Sequence, residues 1–193
     1  MKITGIILAG GKSSRMGKDK GLLILNGKPM IKHIINVLKP LVSEIIIISN
    51  NPEYKQFGCP VYPDIIKEKG PVGGIYTGLF YSKTETNFIL SCDTPFVSSE
   101  FLKFLLMSSK NNQITIPKFE NKTHPLLGVY KKSTSHFFKE SIEKGELKLG
   151  LVNKNLNCKT VNVSLNENEV CFNEKIFTNI NSKNDLDKII NEN

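Results

Sequence analysis

A short segment near the start of the chain, residues 8–20, combines glycines with basic side chains in the sequence LAGGKSSRMGKDK. Gly10 and Gly11 allow the backbone to approach a phosphate closely, and successive amide groups in such a turn can surround an anion. Arg15 and Lys20 would add mobile positive charge, and the planar guanidinium of Arg15 can bind a phosphate through two hydrogen bonds. Arg15 is the single arginine among 26 basic residues, which favours a specific role for it. We predict that this segment binds the phosphates of a nucleotide.

The spacing of this segment excludes the two best-known phosphate-binding loops. A Walker loop that closed on residues 11–13 would need a glycine at position 6, which is Ile6. The dinucleotide fingerprint GxGxxG also fails, because Gly10 and Gly11 are adjacent and the next glycine is Gly17.

Gly10, Asn50 and Asp93 each follow an apolar run that is typical of a buried strand. In an open α/β sheet, ligands bind at the carboxyl ends of the strands, so we expect these residues to share one site. A carboxylate at such an end can hold Mg²⁺, which takes one or two carboxylates together with phosphate oxygens and water. Asp93 is therefore the candidate metal ligand.

Asp64 precedes a second glycine-rich stretch, GPVGG at residues 70–74. Guanine presents two adjacent hydrogen-bond donors on its Watson–Crick edge, and a single carboxylate can accept from both. An acidic side chain near the base would therefore favour guanine over adenine.

The motif LAGGxSxRMGxDK at residues 8–20 resembles the signature loop of the molybdenum cofactor guanylyltransferases, the molybdopterin-guanine dinucleotide synthases. These enzymes belong to the sugar-nucleotide type of nucleotidyltransferase with a Rossmann-like fold. The resemblance follows the order of motifs over most of the chain. It is specific in residues 6–20, 64–74, 91–96 and 177–181.

The resemblance implies a role for each candidate residue. Asp93 is similar to the family's metal-binding aspartate, and Asp64 to an aspartate that contacts the nucleotide. His124 is similar to a histidine that faces the second substrate, and residues 177–181 resemble a C-terminal asparagine motif whose amides bind the pterin. The candidates are Arg15, Lys20 and Asp93 for catalysis, Leu8, Ala9, Gly10, Gly11, Lys20, Asn50, Asp64 and Asp93 for nucleotide binding, and His124, Asn179 and Asn181 for the acceptor.

The reaction that the resemblance implies is transfer of GMP from GTP to the terminal phosphate of molybdopterin, with release of pyrophosphate. A phosphomonoester has a second pKa of about 6, so it is largely ionised at neutral pH and needs no general base. Catalysis then consists of positioning two anions and neutralising charge as pyrophosphate leaves, with Mg²⁺ as cofactor. Cys92 lies in an apolar strand, and we expect an inert buried thiol there rather than a nucleophile.

Other functions remain open at this point. An enzyme of the same fold that uses CTP would share the loop chemistry, and base choice would distinguish it. A regulator that binds GTP without turnover would have no reason to combine Asp93, Lys20 and the C-terminal asparagines. A nucleic-acid-binding module is suggested by charge alone and would show strongly salt-dependent binding.

The elements that must position these residues alternate between strands and helices. Strands are predicted at residues 3–9, 44–49, 87–91, 114–117 and 126–130, with an edge strand at 160–163. Helices are predicted at 29–38, from 73 onward, at 98–107 and 134–143, and after a capping box at 182–185. This order predicts an α/β fold, a single-domain Rossmann-like nucleotidyltransferase fold whose mainly parallel sheet is flanked by helices.

The composition fits one domain over residues 1–193, with a nucleotide-binding half at 1–100 and an acceptor half at 101–193. A chain of 193 residues can bury one substantial core but is short for two full domains. Residues 1–40 carry +7 of the formal +8 charge, which suits a compact polyanion such as a triphosphate better than nucleic acid. The four widely spaced cysteines argue against zinc and disulfides.

We expect a cytoplasmic protein without a membrane segment, since the apolar runs fall far short of the roughly 20 residues that cross a bilayer. Its expected partners are GTP and molybdopterin as substrates, together with transient contacts to other proteins of molybdenum cofactor biosynthesis. Nucleic acid and membrane partners are not expected.

Overall fold

The computed structural model describes residues 1–10, 19–163, 172–180 and 185. Its strands are β1 (Ile3–Leu8), β2 (Ile24–Leu25), β3 (Lys28–Pro29), β4 (Glu44–Ile48), β5 (Val61–Tyr62), β6 (Thr86–Ser91), β7 (Ile114–Phe119), β8 (Lys122–Thr123), β9 (Leu127–Lys131) and β10 (Cys158–Asn162). Its α-helices are α1 (Met30–Leu38), α2 (Gly70–Tyr81), α3 (Ser99–Ser108), α4 (Ser135–Glu143) and α5 (Leu149–Lys154). Short 3-10 helices lie at Lys20–Leu22, Pro52–Phe57, Lys132–Thr134 and Glu174–Phe177. None of the described helices is long and apolar enough to span a membrane.

The main sheet has the strand order β10-β7-β9-β6-β1-β4-β5, and β8 pairs with β7. Strands β5, β4, β1 and β6 are parallel neighbours. Strand β9 is antiparallel to both β6 and β7, and β10 is parallel to β7. The C-terminal ends of β1, β4, β6 and β7 and the N-terminal end of β9 therefore lie along one edge, which we call the carboxyl edge.

Helices cover both faces of this sheet. Ile3 and Ile7 of β1 belong to a buried cluster that includes side chains of α1 and α3, whereas Ile6 and Leu8 pack with α2, α4 and α5. Successive residues of a strand face opposite sides of a sheet, so the unbroken apolar sequence of β1 is what a strand between two helical layers requires. The predicted mainly parallel sheet flanked by helices is confirmed.

Helix α2 lies against β1 and begins at the carboxyl edge. At Gly78, a Cβ atom would collide with the side chain of Ile6, so only glycine allows the helix to pack this closely. One helical turn earlier, the Cβ position of Gly74 is 3.4 Å from the side chain of Leu8, at the end of β1. Close packing along these glycines brings the first turn of α2 next to the strand ends.

Most predicted elements are found, with shifts of a few residues. Helix α2 begins at Gly70 instead of 73, and the edge strand begins at Cys158 instead of 160. Strands β2, β3, β5 and β8 and helix α5 were not predicted, because each is short and lacks a clear periodic pattern. The predicted capping box at 182–185 lies outside the described residues except for its last position.

Candidate active site

Backbone hydrogen bonds tie three strand ends together at the carboxyl edge. The amide of Ala9 donates to the carbonyl of Ile48 at 2.9 Å, and the amide of Cys92 donates to the carbonyl of Leu8 at 3.0 Å. These bonds extend the pairing of β1 with β4 and β6 by one residue. The residues that follow these strands, among them Gly10, therefore leave the sheet as neighbours, as the sequence predicts.

Gly10 is uncrowded by the described part of the chain. Apart from its chain neighbours, no described residue has an atom within 4 Å of its Cβ position, and its φ is outside the left-handed region. What glycine provides here is therefore room beside the backbone rather than an unusual conformation. Leu8 and Ala9 are buried, so only their backbone is placed to contact a nucleotide. Their predicted docking role stays a prediction that this geometry supports.

Asp93 follows β6 and has an oxygen available for a ligand. Its Oδ1 is buried without a hydrogen-bond partner among the described residues. The turn that holds it is closed by the Thr94 hydroxyl, which donates to the carbonyl of Ser91 at 2.9 Å. The backbone carbonyl of Asp93 accepts from the amide of Ile180 at 3.0 Å. This last bond joins the end of β6 to the C-terminal segment 172–180.

The donor atoms of this site fit a hard divalent metal ion that is bound partly by its substrate. An unpartnered carboxylate oxygen such as Oδ1 of Asp93 is a ligand that such an ion prefers. In the described part of the chain, no three or more His, Cys, Asp or Glu side chains are grouped to hold a metal. A structural zinc site would need three or four such ligands, whereas an ion shared with phosphates needs one or two carboxylates.

Asn50 and Asp64 form a pair at the neighbouring strand end. Nδ2 of Asn50 donates to Oδ2 of Asp64 at 3.3 Å, and the amide of Asp64 donates to Oδ1 of Asn50 at 3.3 Å. Partial burial raises the pKa of the Asp64 carboxyl, and the hydrogen bond from Asn50 opposes that shift. The second oxygen, Oδ1, lies 3.9 Å from the Cβ position of Gly74 in α2. Asn50 therefore orients the Asp64 carboxylate, a contact that the sequence did not predict.

Lys20 begins the short helix Lys20–Leu22 and lies close enough to Cys92 for its positive charge to lower the pKa of that thiol. Burial is the larger effect and raises the pKa of Cys92 well above its usual range, and the Asp93 carboxylate raises it further. The thiol is therefore protonated at neutral pH, as expected for an inert cysteine.

Three predicted site residues, Gly11, Arg15 and Asn181, lie outside the described residues. Their assignments to the nucleotide phosphates and the acceptor therefore stay predictions.

A cavity of about 460 Å³ lies between the turn after β6, the end of β7 and the C-terminal segment. Phe119 and Phe177 stack at its wall with ring centroids 4.6 Å apart, and the ring of His124 lies 4.8 Å from that of Phe177. We call it the acceptor cavity because it contains His124, which the sequence analysis assigns to the acceptor as a prediction. It is lined by Phe96, Phe119, Glu120, Lys122, His124, Glu174, Lys175, Phe177 and Thr178.

His124 is held at this cavity by its backbone. Its amide donates to the carbonyl of Pro117 at 3.0 Å, and its carbonyl accepts from the amide of Leu127 at 3.1 Å. Burial lowers the pKa of the imidazole, and the nearby charge of Lys122 lowers it further. The ring is therefore neutral at pH 7, which suits it to stack on or hydrogen-bond with a planar ligand.

Asn179 is exposed and does not line the acceptor cavity, although Phe177 and Thr178 from the same motif do. The sequence prediction emphasised the amides of this motif and missed its aromatic residue. It also missed Phe96 and Phe119. The one available signal was position, because Phe96 lies three residues after Asp93 and Phe119 lies two residues after the predicted strand at 114–117.

Comparison with known proteins supports the resemblance noted in the sequence. The sequence profile of the MobA-like NTP transferase domain matches residues 5–150. A protein from Flavobacterium johnsoniae named probable molybdenum cofactor guanylyltransferase is 41% identical over 190 residues, which cover 97% of this chain and 96% of that protein. A molybdenum cofactor guanylyltransferase from Yersinia pestis is 35% identical over 189 residues, which cover 96% and 93%.

The fold also resembles that of a solved structure. The crystal structure of molybdopterin-guanine dinucleotide biosynthesis protein A from Archaeoglobus fulgidus superposes with a TM-score of 0.80 at 23% identity, covering 98% of this chain and all of that one. This likeness confirms the predicted Rossmann-like nucleotidyltransferase fold. Because the profile and both relatives span most of the sequence, the chain belongs to the molybdenum cofactor guanylyltransferases of the MobA-like NTP transferase family.

Proposed function

We propose that this protein transfers GMP from GTP to the terminal phosphate of molybdopterin, giving molybdopterin guanine dinucleotide and pyrophosphate. The observation that carries the proposal is the position of Asp93. Among the described residues, its carboxylate has an oxygen without a hydrogen-bond partner, near the strand end that carries Gly10, and its carbonyl accepts from the amide of Ile180, in the segment that lines the acceptor cavity. A phosphoryl-transfer site needs this arrangement, because the two substrates must meet at one charged centre.

On the nucleotide side, which comprises Gly10, Lys20, Asn50, Asp64 and Asp93, we assign one function to each part. The backbone of residues 8–11 docks the nucleotide, and Lys20 with Arg15 binds the phosphates. Asp64, oriented by Asn50, accepts hydrogen bonds from the guanine edge. On binding, the carboxyl of Asp64 would exchange its long hydrogen bond from Asn50 for stronger ones from guanine.

Family chemistry implies a divalent metal ion, and we propose Mg²⁺, held by Oδ1 of Asp93 together with phosphate oxygens. When bound, Mg²⁺ would neutralise charge that develops on the phosphates as pyrophosphate leaves. Lys20 and Arg15 contribute to the same neutralisation from the protein side. The acceptor phosphate is already ionised at neutral pH, so Cys92 and His124 need not act as a nucleophile or base.

On the acceptor side, the cavity fits a pterin. The exposed parts of Phe119, Phe177 and His124 offer aromatic surface for a planar ring. Glu120 and Glu174 line the same cavity and can accept from the N–H and amino groups of a pterin. We also propose that Asn179 and Asn181 contact this substrate, with Asn179 reaching it from the exposed side of its segment.

The direct test is turnover with each nucleotide. Purified protein is incubated with Mg²⁺, molybdopterin and GTP, CTP or ATP, while pyrophosphate and the pterin product are measured. We expect dinucleotide formation with GTP, and no pyrophosphate release when molybdopterin is omitted. Turnover with CTP in place of GTP would contradict the proposed base selection, and tight GTP binding without turnover would favour a regulator.

The remaining assignments are also proposals. We propose one domain, with nucleotide binding mainly in residues 1–100 and acceptor binding mainly in 101–193. The division is not strict, since Phe96 lines the acceptor cavity. Cytoplasmic location and transient contact with other proteins of molybdenum cofactor biosynthesis stay predictions.

A further inference from the structure

We infer that Tyr54 is a positioning residue that fixes Lys20 against the strand end carrying Asp93. The inference rests on the proposed role of Lys20 in binding the triphosphate. Its basis is a hydrogen bond of 2.5 Å, in which the Tyr54 hydroxyl donates to Oδ1 of Asp19, the residue immediately before Lys20.

Tyr54 lies in a short helix that follows β4 closely in the sequence. The 3-10 helix Pro52–Phe57 begins four residues after β4, and the Asn51 side chain caps it by accepting from the amide of Glu53 at 3.0 Å. This helix turns Tyr54 inward, where it is 0% exposed. Burial raises the pKa of Tyr54, and the nearby Cys92 and Asp19 raise it further, so the hydroxyl stays a hydrogen-bond donor at all physiological pH values.

The backbone around Lys20 is fixed on both sides of this hydrogen bond. The carbonyl of Asp19 accepts from the amide of Leu22 at 3.0 Å, and that of Lys20 accepts from the amide of Leu23 at 3.1 Å. These bonds close a single helical turn that begins at Lys20. Because the Tyr54 hydroxyl holds Asp19, it holds the start of that turn.

Gly21 shows how closely this turn packs. A Cβ atom at Gly21 would lie 2.6 Å from the Tyr54 hydroxyl oxygen and 3.2 Å from Cβ of Cys92. The backbone after Lys20 is therefore pressed between Tyr54 and the residue that precedes Asp93. Tyr54 thus contacts both neighbours of Lys20 and belongs to the same buried cluster as Cys92, the residue after β6. A fixed distance between a phosphate-binding cation and a metal-binding carboxylate is what a transferase needs, since small displacements of catalytic groups lower rates strongly.

The test is Tyr54→Phe, which removes the hydroxyl and keeps the ring. We expect kcat/KM for GTP to fall about tenfold, as a modest displacement of a catalytic group would cause. The KM for molybdopterin should stay unchanged, and affinity for Mg²⁺-GTP, measured by calorimetry, should fall as well. A purely structural role would lower the melting temperature and leave these GTP parameters at the wild-type values.

Tyr130→Phe is the matched control. Tyr130 is also 0% exposed, and its hydroxyl donates to the carbonyl of Pro125 at 2.6 Å, far in sequence from Lys20. Its loss should reduce stability to a similar extent without weakening GTP binding. Equal loss of GTP affinity in both variants would overturn the inference, because the effect would then follow from general destabilisation.

A double-mutant cycle tests the hydrogen bond itself. If Tyr54 acts through Asp19, then Tyr54→Phe combined with Asp19→Ala should be no worse for kcat/KM than Asp19→Ala alone. Additive losses of kcat/KM, or unchanged GTP kinetics in Tyr54→Phe, would overturn the inference. Neither result would affect the proposed function as long as the unmutated protein turns over GTP. Absence of GTP turnover in the wild-type protein would instead overturn the proposed function.

Discussion

Most of the nucleotide side lies at the ends of parallel strands, whereas the acceptor cavity is assembled from turns and a short helix that are far apart in the sequence. Gly10, Asn50 and Asp93 each come within two residues of the end of β1, β4 or β6. The cavity instead takes residues from the turn after β6, the hairpin of β7 and β8, the approach to β9 and residues 174–178. The first side is polar, and the second combines aromatic rings with charged side chains.

This difference has a physical origin. Phosphates and a metal need fixed charges and backbone amides, which strand ends provide at nearly constant geometry in a parallel sheet. A planar organic ring needs a shaped apolar surface, which side chains from several segments must build together. We therefore expect substitutions on the two sides to affect different kinetic parameters, and the following variants test that separation in order of expected effect.

Asp93→Asn should have the largest effect, because it removes the proposed metal ligand while keeping the shape of the side chain. We expect kcat to fall about 10³-fold, which is the loss of rate typical of removing a group that stabilises charge at the reacting centre. Its melting temperature should not fall, since Oδ1 makes no hydrogen bond within the described residues. Steady-state assays over a range of Mg²⁺ concentrations measure the change, and kcat within a few-fold of wild type would contradict the assignment.

Phe177→Leu should act on the other substrate. Loss of an aromatic wall should raise the KM for molybdopterin about tenfold, as removal of a ring-stacking contact of roughly 1 to 1.5 kcal/mol would. GTP affinity should not change.

Phe172→Leu is the control for this variant. Both rings meet Phe101 edge to face, at 5.0 Å for Phe172 and 5.5 Å for Phe177, but Phe172 does not line the cavity. Both variants should therefore lose stability, and only Phe177→Leu should raise the KM for molybdopterin. An equal rise in both would show that packing around Phe101, rather than contact with the acceptor, determines the KM.

Asp64→Asn should separate base recognition from stability. The amide cannot accept from both guanine donors, so the preference for GTP over ATP should fall about tenfold, the value of one charged hydrogen bond. Burial raises the pKa of Asp64 above its ordinary 3.8, so the charged form is less favourable in the folded than in the unfolded chain. That cost is absent at low pH and grows as pH rises through the pKa of the folded state.

The neutral variant should therefore melt slightly higher than wild type at pH 7, and the gap should close toward pH 3. Competition assays with GTP and ATP, with melting curves at both pH values, check the two effects. An unchanged preference for GTP would remove Asp64 from base recognition.

The same contrast explains what the sequence could predict. β1 and β6 are buried apolar runs followed by Gly10 and Asp93, and the strand-end rule places such residues together without knowledge of side-chain packing. The Asn50–Asp64 hydrogen bonds and the Tyr54–Asp19 contact could not be predicted, since each joins residues at least 14 positions apart through side-chain direction. Phe119 and Phe177 face each other only because the C-terminal segment returns to the end of β7, and no local pattern encodes that return.

His124→Gln should have the smallest effect, a change in how stability depends on pH. Burial, assisted by Lys122, lowers the pKa of His124 below its ordinary 6.5, so the folded protein binds its proton less readily than the unfolded chain does. His124 therefore leaves stability intact above about pH 6.5 and reduces it as pH falls below that value. Replacing the ring with glutamine should make the melting temperature about 2 °C less sensitive to acidification from pH 7 to 5. Identical pH profiles for wild type and His124→Gln would mean that the folded and unfolded chains bind this proton equally well, and thus that the ring is not buried at the acceptor cavity.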